Sequence, residues 1–304
     1  MSNGNSDRLT KNERREAARD KARILREEQK KKDRRTKFIL QGSIIVASLA
    51  IIAIIALVIV NSVKPAGPGP ANMASDGIQF SQGFVATETP ALEPGEEPTA
   101  NEVESGVLNI QMYVDYLCPF CGAFEATNGE YLTSLLENGG ATIEIHPIAI
   151  LDRLSQGTKY STRAVNAMAC VANYSPNQAY DFHMGLFSNQ PAENTPGLSD
   201  DEMITIAETA KVNALDDVSA CIKNQEFKAW VSTSSARALN GPIPNSDIEK
   251  VTGTPTVLVN GQKYPGAVDD LASFQAFVIQ AAGTDFNENS TPTPTPTPSP
   301  TPAG

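Results

Sequence analysis

The sequence predicts an α/β fold with a helical insertion, preceded by a single transmembrane helix. Three observations predict it. Phe38 to Val60 form a run of 23 residues without a charge; residues 105–284 read as strand, helix, strand, helical block, β-hairpin, helix; and the segments flanking that stretch are rich in Pro, Thr and Glu. Of the 304 residues, some 180 are left for one globular unit, enough for a single hydrophobic core.

Residues 1–37 carry fourteen Lys/Arg against seven Asp/Glu and few large apolar side chains. Such a segment buries too little surface to offset chain entropy, so a disordered arm or a solvated helix is expected. Phe38 to Val60, mostly Ile, Ala, Val and Leu, reach across a ~30 Å hydrocarbon core at ~1.5 Å rise per residue. A cleaved signal peptide has a shorter apolar core and a small-x-small site close behind, whereas NSVKPAGPGP follows here. Only Lys64 lies within about 20 residues after the span, so the amino end is expected to stay cytoplasmic and the rest to lie outside. The run is thus expected as a signal-anchor in the cell membrane. The net charge of −11 divides into +7 for residues 1–37 and −18 beyond. An acidic exterior argues against nucleic acid as a partner.

Residues 61–104 read mostly as spacer, with an edge strand at Ile78 to Val85 inside GIQFSQGFVAT. GVLNIQMYVDY alternates apolar residues and reads as a strand. The pattern turns helical from Pro119, with Phe124, Tyr131 and Leu135 on one face and a kink expected at Asn128-Gly129. ATIEIHPIAI is a second strand, which makes a right-handed parallel crossover. Residues of about 152–248 form the helical insertion; Ser199 and Glu202 spell a capping box, and Gly241 a helix stop. In TPTVLVNGQKYPG, Asn260-Gly261 marks a tight hairpin. A last amphipathic helix carries Leu271, Phe274, Phe277, Val278 and Ala281. Residues 285–304 are expected as a disordered tail whose Thr/Pro alternation, Thr291 to Pro302, favours polyproline II.

Four cysteines outside the membrane most economically form two pairs, with three possible connectivities. If Cys118 pairs with Cys121, Cys170 is left with Cys221, a structural bridge whose loop closure contributes about 4 kcal/mol. A bridge across only two residues restrains little chain, so reactivity is the better reason for Cys-Pro-Phe-Cys. Pro119 suits the first turn of a helix, which places the Cys118 sulfur beside unpaired backbone N–H groups and the positive end of the dipole. There a thiol falls from ~8.5 to between about 3.5 and 7.5. Cys118 is therefore expected as the attacked sulfur, exposed at the helix tip, and Cys121 as its shielded resolving partner. A closed zinc site needs four ligands in paired spacing; His146 and His183 supply no such motif, and neither metal nor cofactor is expected.

The stretch YVDYLCPFC on a strand-to-helix turn, the helical block, and VTGTPTVLVNG before a hairpin resemble thioredoxin-fold proteins of the DsbA-like group, in their membrane-anchored extracytoplasmic form from actinobacteria. The resemblance covers roughly Ile78 to Gly283. It implies a thioredoxin fold, a catalytic Cys118/Cys121 pair with Pro119 and Phe120 as the intervening dipeptide, and a cis Pro255 opposite it. Thr254 would offer its backbone to substrate. Two positions depart from the pattern: Phe120 stands where many oxidising members have His, and Met112 where a buried acid often lies. Asp115 is the nearby carboxylate, a candidate proton acceptor or a turn cap.

The function so implied is a thiol-disulfide oxidoreductase that forms disulfides in exported proteins with free thiols. Its reoxidation would fall to a membrane partner similar to vitamin K epoxide reductase. The alternatives are a reductase or isomerase, as in cytochrome maturation, and a non-enzymatic metal-delivery or interaction module.

Overall fold

The computed structural model describes residues 11–62, 67–102 and 106–289, in two units divided between Pro65 and Ala66. In the first, α1 (Lys11–Ser62) is one continuous helix. The basic arm from Lys11 onward is thus helical, consistent with its Ala, Glu, Lys and Arg content. α1 is long and apolar enough to cross a membrane and lies near the N-terminus, as a signal sequence or an anchor does. Residues 1–10 and the Thr/Pro tract Thr291 to Pro302 lie outside the described residues.

The second unit is a mixed α/β thioredoxin-like fold with a helical insertion. Its strands are β1 (Ile78–Ser81), β2 (Val85–Ala86), β3 (Leu108–Val114), β4 (Ala141–Pro147), β5 (Thr256–Val259) and β6 (Gln262–Lys263), in the sheet order β2-β1-β4-β3-β5-β6. β3 and β4 are parallel, joined by α2 (Pro119–Asn138). β5 runs antiparallel to β3 and turns into β6 through Asn260 and Gly261, both at positive φ, as a type I′ turn requires. α8 (Leu271–Asn289) closes the unit and runs five residues beyond the expected boundary at 284.

α2 continues as one helix through Asn128-Gly129, the place where a kink is expected. Asn128 is buried and its side-chain amide donates to the Phe124 carbonyl, in its own helix, and to Val268. Gly129 makes room for Met184, whose Cε would lie 3.0 Å from an added Cβ. Both residues answer to packing here rather than to a turn.

The insertion comprises α3 (Tyr160–Tyr174), α4 (Ala179–Ser188), α5 (Asp200–Thr209), α6 (Leu215–Asn224) and α7 (Lys228–Asn240). The Ser199/Glu202 capping box opens α5. Cys170 on α3 and Cys221 on α6 are disulfide-bonded, with Cα atoms 5.8 Å apart. Tyr160, Ala164, Met168, Phe182, Met203 and Val218 are fully buried in the core shared with the sheet. Tyr113, Ile148, Ala238, Ile243, Val251 and Leu258 form a second, smaller core cluster.

Residues 67–102, expected as mostly spacer, are structured on this unit. The Asn72 amide donates to the Ala172 carbonyl at 2.9 Å, and the Ala71 N–H to Asn173 Oδ1 at 2.8 Å. Asp76 forms a bidentate pair with Arg237. Asn101 and Ser75 both donate to the buried Glu144 carboxylate. β1 pairs antiparallel with β4 along Ile78, Gln79 and Phe80. Composition missed this because few apolar residues are involved: Met73, Ile78 and Phe80 are buried, while hydrogen bonds and one ion pair hold the remainder.

Candidate active site

β3 ends at Val114, and the backbone turns through Asp115, Tyr116 and Leu117 into α2. Cys118 is the N-cap of that helix and Pro119 its first residue. A proline suits that position because its missing N–H has no helical acceptor. The Cys118 carbonyl accepts from the Cys121 and Gly122 N–H groups at 3.0 and 3.1 Å, closing the first turn. Tyr113 lies opposite Thr256 in the β3–β5 pairing, so the residues before β5 meet those after β3. There the Thr254-Pro255 peptide is cis, and Cys118 Sγ lies 3.3 Å from the Thr254 carbonyl oxygen. Sheet register thus brings together Cys118, Pro119, Phe120, Cys121, Thr254 and Pro255.

One expectation is corrected. Cys118 is 4 % exposed, rather than open at the helix tip, and Cys121 is fully buried. The Thr254 loop covers the sulfur, and Phe120, 65 % exposed, presents the outward face of the dipeptide. Helix position alone does not reveal a covering loop from 136 residues away.

The two thiols differ in acidity. The Cys118 thiol, hydrogen-bonded first by the Cys121 thiol and then by the Thr254 side chain and the backbone N–H groups of Cys121 and Phe120, falls to about 6 against the opposing effect of burial. Burial, followed by the neighbouring Cys118, pushes the Cys121 thiol well up. The hydrogen bonds favour a thiolate on Cys118, and burial disfavours one on Cys121. Alkylation of the reduced protein by iodoacetamide should therefore titrate with a midpoint near 6, and a midpoint near 9 would contradict this arrangement. Because the folded value is depressed, the reduced form gains stability as pH rises through 6 toward the ordinary thiol value of 9.0, and loses that stability as pH falls back through 6.

Asp115 is completely buried, with both oxygens engaged. Oδ1 accepts from the Leu117 N–H and the Ser161 hydroxyl, and Oδ2 from the Ile150 and Leu151 N–H groups, all at 2.8–3.0 Å. Burial raises its pKa while these hydrogen bonds pull it down. This is the geometry of a turn cap joining the β3 turn, the segment after β4 and α3.

Sequence reasoning overlooked a buried chain beneath the turn. The Tyr116 hydroxyl is 3.1 Å from His183 Nδ1, and His183 Nε2 is 3.0 Å from Glu125 Oε1. Glu125 lies one turn beyond Cys121 on α2, a spacing visible in the sequence, but its partner comes from α4. Gln190, in the segment after α4, was likewise missed: its side-chain amide donates to the Cys118 and Tyr116 carbonyls at 2.8 and 3.2 Å. Among the described residues, no three His, Cys, Asp or Glu side chains converge as a metal-binding group.

This dithiol at a helix N-terminus, under a cis-proline loop, has the parts for thiol-disulfide exchange. The family model described as Thioredoxin matches residues 105–278. Among solved structures, oxidised DsbA of Mycobacterium tuberculosis is 28 % identical, with a TM-score of 0.51, covering 68 % of this chain and 93 % of that one. Reduced DsbG, a disulfide bond oxidoreductase of the same organism, is 29 % identical with a TM-score of 0.50, over 73 % and 96 % of the two chains. The serine/threonine-protein kinase PknE of M. tuberculosis is 29 % identical over 198 residues, 60 % of this chain and 34 % of that protein. The chain thus spans about a third of the length of the curated relatives it matches.

Proposed function

Because the chain belongs to the thioredoxin family and is a DsbA-like thiol-disulfide oxidoreductase, we propose that it forms disulfide bonds in exported proteins through Cys118 and Cys121. A substrate thiolate attacks Cys118 Sγ of the oxidised pair, the Cys118–Cys121 bond breaks, and the Cys121 sulfur leaves and takes up a proton. A second substrate thiolate then attacks the substrate sulfur of the mixed disulfide, expelling Cys118 as a thiolate. The substrate loses two electrons and the pair gains them. A membrane reoxidase similar to vitamin K epoxide reductase would remove those electrons, and α1, as a single-pass anchor with its amino end cytoplasmic, would hold the redox domain outside the membrane near that partner.

The observation that carries this reading is the placement of the pair, with Cys118 at the N-cap of α2 and 3.3 Å from the Thr254 carbonyl oxygen beside cis Pro255, and Cys121 buried behind it; hydrogen bonds there lower the Cys118 thiol and burial raises that of Cys121. A low-pKa Cys118 is a good leaving group and stabilises the reduced enzyme, which is what makes a disulfide oxidising. Phe120 supplies no charge to strengthen the effect, so a potential lower than the roughly −120 mV of a strong oxidant is expected. Equilibration of the reduced domain with glutathione measures it. A value between about −120 and −270 mV supports the oxidase; a value near or below about −270 mV, the thioredoxin end, assigns the chain to the reductase reading instead.

A further inference from the structure

Gly122 follows Cys121 in the first turn of α2, where alanine is the better helix former by about 1 kcal/mol. What occupies the space of its missing side chain is Gln190. An added Cβ would lie 2.1 Å from Gln190 Oε1 and 3.0 Å from its Cδ, and the third nearest atom is Gln190 Nε2 at 3.4 Å. Gln190 belongs to the segment between α4 and α5, where its own N–H donates to the Phe187 carbonyl at 3.1 Å. From there the side chain reaches back 72 residues to the Cys118 carbonyl at 2.8 Å and 74 residues to that of Tyr116 at 3.2 Å. It bridges two carbonyls on either side of Leu117, and so spans the turn that sets where Cys118 lies relative to the N–H groups of α2.

We propose that Gln190 is a positioning residue for the exchange reaction, that its amide locks the Tyr116–Cys118 turn to the helical insertion, and that Gly122 is the residue making room for it. The insertion thereby acts on Cys118 directly. The groups around the sulfur are the Cys121 thiol, Thr254, and the N–H groups of Phe120 and Cys121. Their hold on a Cys118 thiolate depends on the turn keeping its shape. Without the amide clamp the turn relaxes, the thiolate is less well held, and the equilibrium with glutathione moves toward the protein disulfide. The inference rests on Cys118 being the exchanging sulfur.

A double-mutant cycle in the full chain tests it. Gln190→Ala should shift the glutathione equilibrium constant about threefold to tenfold toward the disulfide, tenfold being ~30 mV, and slow alkylation of Cys118 at pH 6 to a similar degree. Gly122→Ala, whose Cβ displaces the Gln190 side chain, should reproduce both changes. In the Gln190→Ala background the same Gly122→Ala change should be silent, because the atom it collides with is gone. Gln190→Glu keeps size and shape but removes the N–H donors, so a purely steric role predicts wild-type behaviour there and the clamp predicts the loss. Wild-type equilibrium and alkylation in both Gln190→Ala and Gly122→Ala overturn the proposal, as does a double variant whose effects simply multiply. Should Gln190→Ala fail to fold, Gly122→Ala and Gln190→Glu decide alone. Exchange that survives in Cys118→Ala, run in parallel, would instead remove the function on which the inference rests.

Discussion

Cys118→Ala should reduce thiol-disulfide exchange to the background of free glutathione, whereas Cys121→Ala should arrest it halfway. Cys118 carries the low-pKa sulfur, under Thr254 and cis Pro255. Cys121 is fully buried with its thiol held protonated, so it attacks nothing but its neighbour. Without Cys121 the mixed disulfide on Cys118 has no internal thiol to resolve it and accumulates. When the Cys121→Ala protein is mixed with a disulfide-bonded peptide, the Cys118 thiolate attacks the peptide disulfide and one peptide thiol leaves, so non-reducing electrophoresis should show slower bands that collapse on adding dithiothreitol. A further consequence is specific to this geometry. The first cause of the low Cys118 pKa is the hydrogen bond from Cys121, so the alkylation midpoint in Cys121→Ala should rise from about 6 toward the ordinary 9.0. Retention of exchange by Cys118→Ala, or an unmoved midpoint in Cys121→Ala, would contradict the assignment of the two sulfurs.

Removing the second pair should cost stability and leave the chemistry. Cys170 and Cys221 close a loop of 51 residues, which the chain-entropy relation makes worth about 4 kcal/mol. Both sulfurs lie in the core between α3 and α6, away from the Cys118 turn in sequence and joined to it through packing. The Cys170→Ala/Cys221→Ala variant should unfold at a lower urea concentration and melt roughly 10 °C earlier. Its Cys118 alkylation midpoint, measured while folded, should stay near 6. A urea midpoint within error of wild type would show that the bridge restrains little, and a shifted alkylation midpoint would show that the insertion depends on it to hold the active-site turn.

Local signals were legible wherever a few consecutive residues suffice. Asn260-Gly261 supplies two residues tolerant of positive φ, and the hairpin follows. Ser199 and Glu202 stand at capping-box spacing, and the box forms. Pro119 can open a helix, and α2 starts there. Asp115 was legible only as two alternatives, since three of the donors that occupy its oxygens, the Ile150 and Leu151 N–H groups and the Ser161 hydroxyl, come from 35 to 46 residues away. Residues 67–102 misled for a related reason: outside the edge strand expected at Ile78 to Val85 their composition is that of a spacer, and hydrogen bonds to α3 and Glu144 together with the Asp76–Arg237 pair make them part of the fold.

By itself the sequence determined the apolar segment of α1, the strand-helix-strand order, the Cys118/Cys121 couple at a helix start, and the Thr254-Pro255 dipeptide leading into β5. Each is a property of adjacent residues, governed by hydrogen bonding and side-chain periodicity over one or two turns. Tertiary structure alone decided that Cys118 is covered, that Asp115 caps a turn, that Glu125 meets His183, and that Gln190 reaches the Cys118 carbonyl. Those contacts join residues 35 to 136 positions apart. The free energy that brings such residues together comes from burying the shared core, and no short stretch of the chain contains it.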